Sequence, residues 1–145
     1  MLLKDYISGL KEEHKSIFFS GIASDSKKVK KNNIFFAIKG TNENGNNFIN
    51  DAIRKGASVI VSEKKFHKKK NNIVFLHVSN VRKLLSKISF KIAKVRPNRL
   101  IAVTGTNGKT SVSDFYYQIL NLNNINVASI GTNGVKYKNK KKNLK

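Results

Sequence analysis

Short apolar runs alternate with segments of helical spacing along most of this 145-residue chain. The runs are rich in β-branched and aromatic residues, which favours buried strands. Gly56 suits a helix C-terminus, and Pro97, the only proline, closes the longest helical pattern. Strands and helices in alternation predict an α/β fold. The predicted strands cover residues 33–38, 57–61 and 73–78, and the predicted helices cover residues 48–53 and 81–95.

The first 22 residues carry a shorter pattern. Leu3, Ile7 and Leu10 have helical spacing, so we predict a helix over residues 2–10. Residues 15–22 form an apolar passage that is typical of an extended segment.

A glycine-rich turn follows the apolar run at residues 100–104 and precedes a helical pattern at residues 110–122. The turn reads Thr-Gly-Thr-Asn-Gly-Lys-Thr over residues 104–110. A strand, a turn ending in Gly-Lys-Thr and a helix form the layout of a phosphate-binding loop. Backbone N–H groups in such a loop point at phosphate oxygens, and the helix N-terminus adds positive potential.

This loop departs from the general phosphate-loop pattern at its first position. Val103 stands where that pattern has glycine, and an additional glycine, Gly105, follows. Lys109 can reach terminal phosphates, and the Thr110 hydroxyl can ligate magnesium. The alternative interpretation is a chance Gly-Lys-Thr in a surface turn.

The patterns divide the chain into two predicted domains, residues 1–95 and residues 96–145, with a linker around Pro97. One strand–helix–strand unit cannot cover both faces of a parallel sheet, and residues 137–145 show no core pattern. We therefore expect the chain to stop within its second domain.

The fold class predicted is a small N-terminal α/β domain followed by the truncated start of a P-loop-type parallel-sheet ATP-binding domain. The second domain is predicted to hold a strand at 100–104, a helix at 110–122 and a strand at 126–130.

The amino-acid composition excludes several kinds of functional site. The chain has no cysteine, which excludes disulfides, thiolate metal sites and cysteine nucleophiles. The N-terminus lacks a signal-peptide pattern and no run of ~18 apolar residues is present, so we expect a soluble cytoplasmic protein without a membrane partner. His14, His67 and His77 are isolated and lack metal-ligand spacing.

The net charge of +21 has two interpretations. Clustered lysines bind nucleic-acid phosphates, so a small nucleic-acid-binding module is one possibility. The other is a compositional bias, because lysine and asparagine are enriched together in loops such as residues 30–33 and 68–72. We favour the bias and expect no specific nucleic-acid partner.

Two groups of motifs together resemble the Mur ligase family. The first comprises the Asp-Ser-Lys turn at residues 24–29, the Ile-Phe-Phe-Ala strand at 34–40, and the Asn-Gly loop and helix at 44–57. The second joins the loop at residues 104–110 to the Gly-Thr pair at 131–132. The resemblance covers residues ~20–135, and it is the ordered combination of the motifs that is specific.

Within the family, Thr106-Asn107 and Gly131-Thr132 resemble the MurE-type branch. That branch adds the third stem-peptide residue, diaminopimelate or lysine, to UDP-N-acetylmuramoyl-L-alanyl-D-glutamate in peptidoglycan synthesis, and so serves cell wall biogenesis, cell shape and cell division. The MurF-type branch is the alternative. MurD-type enzymes and folylpolyglutamate synthase share the loop, but the region around Asp25-Ser26 argues against them.

The chain departs from the family pattern at three positions. Lys27 stands where arginine is usual, and Asn44 and Asn46 replace the aspartate and histidine around Gly45. Lysine is a point charge and lacks the planar fork of arginine, but both asparagines can still make local turn hydrogen bonds.

The resemblance implies an ATP-dependent ligase. The substrate carboxylate attacks the γ-phosphate of ATP to give an acyl phosphate, and the incoming amine then displaces phosphate. Lys109 is implied as the catalytic residue that stabilises the transferred phosphoryl group, and Thr110 as the Mg²⁺ ligand. The implied ATP-binding residues are Gly105, Thr106, Asn107, Gly108, Lys109, Thr110 and Ser111.

The resemblance also implies a site for the UDP part of UDP-N-acetylmuramoyl-dipeptide in the first domain. Ser24 and Ser26 match positions that meet the uridine, and Thr41, Asn42 and Glu43 match the loop that closes over it. Without the family, Ser26 is equally well explained as a turn-capping serine, and Glu43 as a solvated loop carboxylate.

The family's further magnesium ligands, modified lysine and amino-acid-selecting domain have no counterpart in these 145 residues. We therefore expect that this chain alone does not complete the ligase reaction. A standalone nucleotide-binding regulatory protein is a third hypothesis, beside the ligase and the nucleic-acid-binding module.

Overall fold

The structure is a computed structural model that describes residues 1–41, 43–66, 72–93, 95–138 and 140–143. The chain divides into two compact units. We call Met1–Arg96 the N-terminal unit and Pro97–Lys145 the C-terminal unit.

The N-terminal unit is built on a sheet of four strands whose order in space follows their order in the chain. All three neighbouring pairs are parallel, with Ile22 opposite Ile34 and Ile60 opposite Phe75. Parallel strands place their carboxyl ends along one edge of the sheet. The strands are β1 (Gly21–Ala23), β2 (Asn33–Phe36), β3 (Ala57–Ser62) and β4 (Val74–His77).

Helical segments connect β1 to β2 and β2 to β3, as is usual between parallel strands. The longest helix of this unit follows β4 and begins after Asn80, whose side chain caps it by accepting a hydrogen bond from the Lys83 N–H at 2.8 Å. The α-helices are α1 (Glu12–Lys15), α2 (Ile49–Arg54) and α3 (Val81–Ile92), and the 3-10 helices are Leu3–Asp5, Ser26–Lys28 and Gly45–Phe48.

Apolar side chains cover both faces of the four-stranded sheet. Ile34 and Phe36 of β2 point to one face, and Phe35 points to the other, following the two-residue period of a strand. A register shift where β3 passes β2 lets Ala57 and Ile60 share a face. The first face packs against α3 and the N-terminal segment, and the second packs against α2. This is the two-sided core expected of a parallel sheet.

The predicted helix over residues 2–10 is wrong. Only the 3-10 turn Leu3–Asp5 forms, and Leu2 pairs instead with Phe18 in an antiparallel bridge. Gly9 ends any helical path with φ +72°. Leu3 and Ile7 are nevertheless buried, because the same spacing seats them on the sheet without a continuous helix.

The C-terminal unit contains one long helix and an antiparallel sheet of order β5-β6-β7. Its elements are α4 (Lys109–Leu122), β5 (Ala128–Gly131), β6 (Gly134–Tyr137) and β7 (Lys140–Lys142). One prediction fails here. Residues 100–104 form no strand, because β5 pairs with β6 and the described part of this unit offers that run no ladder partner. The lysine-rich tail, which shows no core pattern, contributes β7, which pairs with β6 through its backbone while its lysines stay exposed.

The described part of α4 buries one large side chain. Tyr117 is buried, whereas Phe115 and Tyr116 are exposed. Asp114 forms an ion pair with Lys136 of β6 at 2.8 Å. Within the described part of the chain, no helix is long and apolar enough to span a membrane.

Candidate functional site

A cleft of about 630 Å³ opens where the chain leaves β1 and β2 of the N-terminal unit. Its position beyond the carboxyl ends of parallel strands is the usual place for a ligand in open α/β sheets. Four of the five residues predicted to hold the UDP group line this cleft, namely Ser24, Ser26, Thr41 and Glu43, while Asn42 lies outside the described residues. The other lining residues are Asp25, Lys27, Ile38, Gly40, Gly45 and Phe48.

One wall of the cleft is the turn that follows β1. Asp25 caps the 3-10 helix Ser26–Lys28, because its carboxylate accepts the Lys27 N–H at 2.8 Å. Ser24 is exposed, whereas Ser26 is buried. The two serines therefore reach the cleft differently: Ser24 offers an exposed side chain and Ser26 a buried one.

Ser26 interacts with the Asp51 carboxylate of α2. A hydrogen bond from the Ser26 hydroxyl, helped by Lys55 and Arg54, lowers the pKa of the Asp51 carboxyl below its ordinary value. Lys55 lies 3.0 Å and Arg54 3.5 Å from the Asp51 carboxylate oxygens. Sequence reasoning missed this contribution of Asp51.

Another part of the lining follows β2, where the described residues 39–41 and 43–45 form a turn. Lys39 and Asn44 pair across it, and the Gly40 N–H donates to the Glu43 carbonyl at 2.8 Å. Gly45 lies against Ile38, and a Cβ on Gly45 would stand 2.6 Å from the Ile38 backbone nitrogen and oxygen. A side chain at this position would push the turn away from the sheet, so the close approach requires glycine.

Phe48 lines the same cleft with a partly exposed ring. An aromatic ring beside polar groups offers a stacking surface for a planar ligand. Sequence reasoning assigned Phe48 to the core pattern of the following helix and so missed its place in the cleft.

The predicted phosphate loop lies at the start of α4 in the C-terminal unit. Gly105 and Gly108 have φ of +143° and +74°, a region that glycine reaches without strain. Gly108 is the N-cap residue of α4, and no side chain caps this helix. The backbone N–H groups of the first turn therefore point outward without a side-chain acceptor, which suits an anion.

Lys109 folds back over the loop. Its ammonium donates to the Gly105 carbonyl, and to the Thr106 carbonyl at 3.0 Å. Lys109, Gly105 and Thr106 are all exposed to solvent. Thr110 and Ser111 follow in the first turn of α4, and both are exposed.

A magnesium site in this chain would rest on few protein ligands. Among the described residues no group of three or more His, Cys, Asp or Glu side chains could hold a metal ion. Mg²⁺ usually keeps several waters and is bound by one or two protein oxygens together with substrate phosphates. The exposed Thr110 hydroxyl at the helix start is an oxygen donor of the kind that fits such a site.

Two family models match consecutive parts of the chain. The model described as the Mur ligase family, catalytic domain, matches residues 19–96, which is more than half of the chain. The model described as the Mur ligase middle domain matches residues 103–145.

The chain is similar to curated proteins named UDP-N-acetylmuramoyl-L-alanyl-D-glutamate–2,6-diaminopimelate ligase. The protein from Rickettsia prowazekii is 40% identical over 115 residues, covering 79% of this chain and 24% of that protein. One from Clostridium acetobutylicum is 34% identical over 131 residues, covering 89% and 27%. The chain thus spans about a quarter of the length of these relatives.

Two solved structures have related folds. A structure of UDP-N-acetylmuramoyl-L-alanyl-D-glutamate–2,6-diaminopimelate ligase aligns with a TM-score of 0.76 at 24% identity, covering 97% of this chain and 29% of that one. At that identity the likeness shows the fold alone. A MurF ligase from Thermotoga maritima in complex with ADP aligns with a TM-score of 0.54 at 28% identity, covering 70% and 23%.

Proposed function

This chain belongs to the Mur ligase family, and we propose that it supplies the UDP-substrate site and the ATP loop of an ATP-dependent amide ligase. The proposed reaction adds the third stem-peptide residue to UDP-N-acetylmuramoyl-L-alanyl-D-glutamate in peptidoglycan synthesis. The cleft of the N-terminal unit would bind the UDP group, and the loop before α4 would bind ATP. Both ligands are cytoplasmic nucleotides, so the cytoplasm is the proposed compartment.

The names of the curated relatives favour the MurE-type branch and diaminopimelate as the added amino acid. The MurF-type branch has weaker support, because it rests on the MurF ligase structure from Thermotoga maritima, which is 28% identical and aligns over 70% of this chain. The curated relatives that carry the diaminopimelate ligase name are 34% and 40% identical.

The cleft is the observation that carries the proposal. It brings Ser24, Ser26, Thr41 and Glu43 together around one opening, although the chain separates the first pair from the second. Hydroxyl groups and a carboxylate can hydrogen-bond the ring edge and ribose of a uridine. Lys27 at the same opening supplies a positive charge suited to a diphosphate.

At the ATP loop the chain contributes positioning and charge. The N–H groups of the first turn of α4 would hold phosphate oxygens. Lys109 would leave the Gly105 and Thr106 carbonyls and stabilise the charge that develops on the γ-phosphoryl group. When bound, Mg²⁺ would neutralise part of that charge, with Thr110 as its ligand from this chain.

The two steps of the reaction balance without a nucleophilic side chain. The glutamate carboxylate of the precursor attacks the γ-phosphorus, and ADP leaves with the bond electrons. The amine of the incoming amino acid then attacks the acyl carbon of the acyl phosphate, releasing phosphate and a proton. Alignment of reactants provides much of the rate in such transfers.

An NMR titration of the ¹⁵N-labelled 145-residue chain tests both sites. UDP-N-acetylmuramoyl-L-alanyl-D-glutamate should shift amide signals of the turns at residues 24–27 and 40–45, and MgATP should shift those at residues 105–111. Lys109→Ala should weaken ATP binding about tenfold or more, the usual effect of losing a charged hydrogen bond.

Lys140→Ala is the matched control, because it removes the same charge from the exposed strand β7 of the same unit. It should leave ATP affinity within about twofold. Shifts scattered over the surface, or equal ATP affinity for Lys109→Ala and the parent chain, would contradict the assignment.

A further inference from the structure

We propose that Ser62, Asn46 and Asn44 form a hydrogen-bonded relay that positions one wall of the cleft and thereby sets its affinity for a uridine diphosphate. The identity of the ligand rests on the proposed function. The relay itself rests on the contacts of the unliganded chain.

The relay begins at a buried anchor. Ser62 is the last residue of β3 and is fully buried. Its hydroxyl oxygen accepts the Lys64 N–H at 2.9 Å and lies 2.7 Å from the Asn46 Oδ1. Because an amide N–H can only donate, the Ser62 proton is free to be donated to Asn46.

This contact fixes the orientation of the Asn46 amide. With its Oδ1 accepting from Ser62, the Asn46 Nδ2 donates to the Asn44 Oδ1 at 2.8 Å. The Asn44 oxygen also accepts the Asn46 backbone N–H at 3.1 Å. Every bond in the relay therefore runs from β3 toward Asn44, and reversing one of them would leave two acceptors facing each other.

The end of the relay holds the wall of the cleft. Asn44 pairs with Lys39, and the next residue, Gly45, donates its N–H to the Ile38 carbonyl at 2.8 Å. Thr41 and Glu43 lie in the turn between these fixed points and line the cleft. Displacing Asn44 would therefore displace both side chains together. Asn44 and Asn46 do not line the cleft themselves, so they are positioning residues.

Asn46→Asp breaks the relay with almost no change in side-chain size. The variant replaces the Nδ2 donor by an oxygen, which then faces the Asn44 Oδ1 as a second acceptor. Asn47→Asp is the matched control, since it makes the same chemical change one residue away, where the side chain is exposed.

Ser62→Ala removes the anchor from the other end. Ser58→Ala is its control, because Ser58 lies on the same strand and its buried hydroxyl has no hydrogen-bond partner in the described structure. Asn44→Ala, at a half-buried position, provides a third variant if the change at the fully buried Ser62 prevents folding.

Amide hydrogen exchange on the unliganded 145-residue chain tests the relay without any ligand. In Asn46→Asp, Ser62→Ala and Asn44→Ala, the amides of Gly45 and Asn46 should exchange at least about tenfold faster. Amides within β2 should keep their protection, which shows that the unit remains folded. The two control variants should match the parent chain. Unchanged exchange at Gly45 and Asn46 in the folded relay variants overturns the proposal.

A calorimetric titration with uridine 5′-diphosphate then tests the consequence for binding. The relay variants should bind it about tenfold more weakly, and the controls within about twofold of the parent chain. Faster exchange with unchanged uridine diphosphate affinity would overturn the link to the ligand. If the parent chain binds no uridine diphosphate, the proposed function of the cleft fails, while the exchange result still decides whether the relay positions the turn.

Discussion

The two units of this chain support their candidate sites in different ways. The N-terminal unit buries large side chains such as Phe19, Phe35 and Phe36 on both faces of a parallel sheet. In the described part of the C-terminal unit, most large apolar side chains are exposed. Those exposed are Leu100, Ile101, Val103, Val112, Phe115, Tyr116, Ile119, Leu122, Ile125, Ile130 and Tyr137.

The difference matters for the geometry of the two sites. The cleft is held by long-range contacts, such as the bond from Ser62 to Asn46 across 16 residues. The phosphate loop is held by local ones, such as the bonds from Lys109 to carbonyls three and four residues before it. A site built from local backbone keeps its shape with little help from a core, whereas the cleft depends on the packing behind it.

Tyr117 illustrates the contrast within the C-terminal unit. It is the one large side chain buried in the described part of that unit, yet its hydroxyl has no hydrogen-bond partner there. A buried hydroxyl without a partner is unfavourable. The described part of the C-terminal unit therefore buries little apolar surface, and its buried tyrosine hydroxyl adds an unfavourable contribution to stability. The large side chains of the N-terminal core do not carry this cost.

Substituting one phenylalanine in each unit gives the largest test of this comparison. Phe36→Ala should lower the free energy of unfolding by about 3–5 kcal/mol, because it empties a fully buried site. Phe115→Ala should change it by no more than about 0.5 kcal/mol, because that ring is exposed on α4. Urea unfolding followed by circular dichroism measures both. Equal losses from the two substitutions would break the comparison.

Substitutions at two glycines distinguish the effect of a steric clash on stability from the effect of backbone strain. Gly45→Ala should destabilise the N-terminal unit by about 1–3 kcal/mol, since the new Cβ meets the Ile38 backbone at 2.6 Å. Gly108→Ala should have a smaller effect of about 1 kcal/mol, because nothing lies within 4 Å and only the φ of +74° opposes it.

The binding readouts of these glycine variants should also diverge. Gly45→Ala should weaken uridine diphosphate binding and leave ATP binding unchanged, and Gly108→Ala should do the reverse. Gly131→Ala, with open space and no positive φ, is the control for both. Loss of both ligands in either variant would show that the two sites are not supported separately.

The elements of the N-terminal unit follow largely from the sequence. The apolar runs around Ile34, Val59 and Phe75 became β2, β3 and β4, and the pattern from Val81 became α3. The spacing of apolar residues in these segments follows from their burial in a sheet that is covered on both faces. Such a pattern can be recognised within a short stretch of sequence. The helix expected around Ile7 did not form, because the same spacing can seat side chains on a sheet from an irregular segment.

The C-terminal unit was harder to predict, because strand pairing is a long-range property. The run at residues 100–104 has the composition of a strand but has no strand partner in the described structure. The lysine-rich strand β7 pairs through its backbone and has no apolar pattern from which it could be predicted. The helix α4 was found because the Gly108 turn and the following helical spacing are local signals.

The candidate cleft was predicted in part. The family motifs pointed to Ser24, Ser26, Thr41 and Glu43, and the structure brings these four residues together. Their roles as UDP ligands remain predictions. The contribution of Asp51 could not be read from the sequence, because it depends on a hydrogen bond with Ser26 from another element.

The smallest expected effect is a loss of folding stability at low pH, and it is specific to the N-terminal unit. The hydrogen bond from Ser26 and the neighbouring Lys55 lower the pKa of Asp51 below 3.8 in the folded chain. The folded state therefore binds fewer protons than the unfolded state in this range, so the stabilising contribution is complete above pH 3.8 and is lost as the pH falls through the folded value. Because the Asp51 carboxylate is partly exposed, salt should reduce the effect.

Asp51→Asn should accordingly make the stability of the N-terminal unit depend less on pH at acidic pH, since an amide cannot ionise. Urea midpoints measured from about pH 6 down to about pH 2 should fall less steeply for this variant than for the parent chain. Asp114→Asn, which removes a carboxylate paired with Lys136 in the C-terminal unit, is the control for loss of an acidic group. If Asp114→Asn flattens the profile of the N-terminal unit as much as Asp51→Asn does, the acid sensitivity reflects net charge and does not arise from the contact between Asp51 and Ser26.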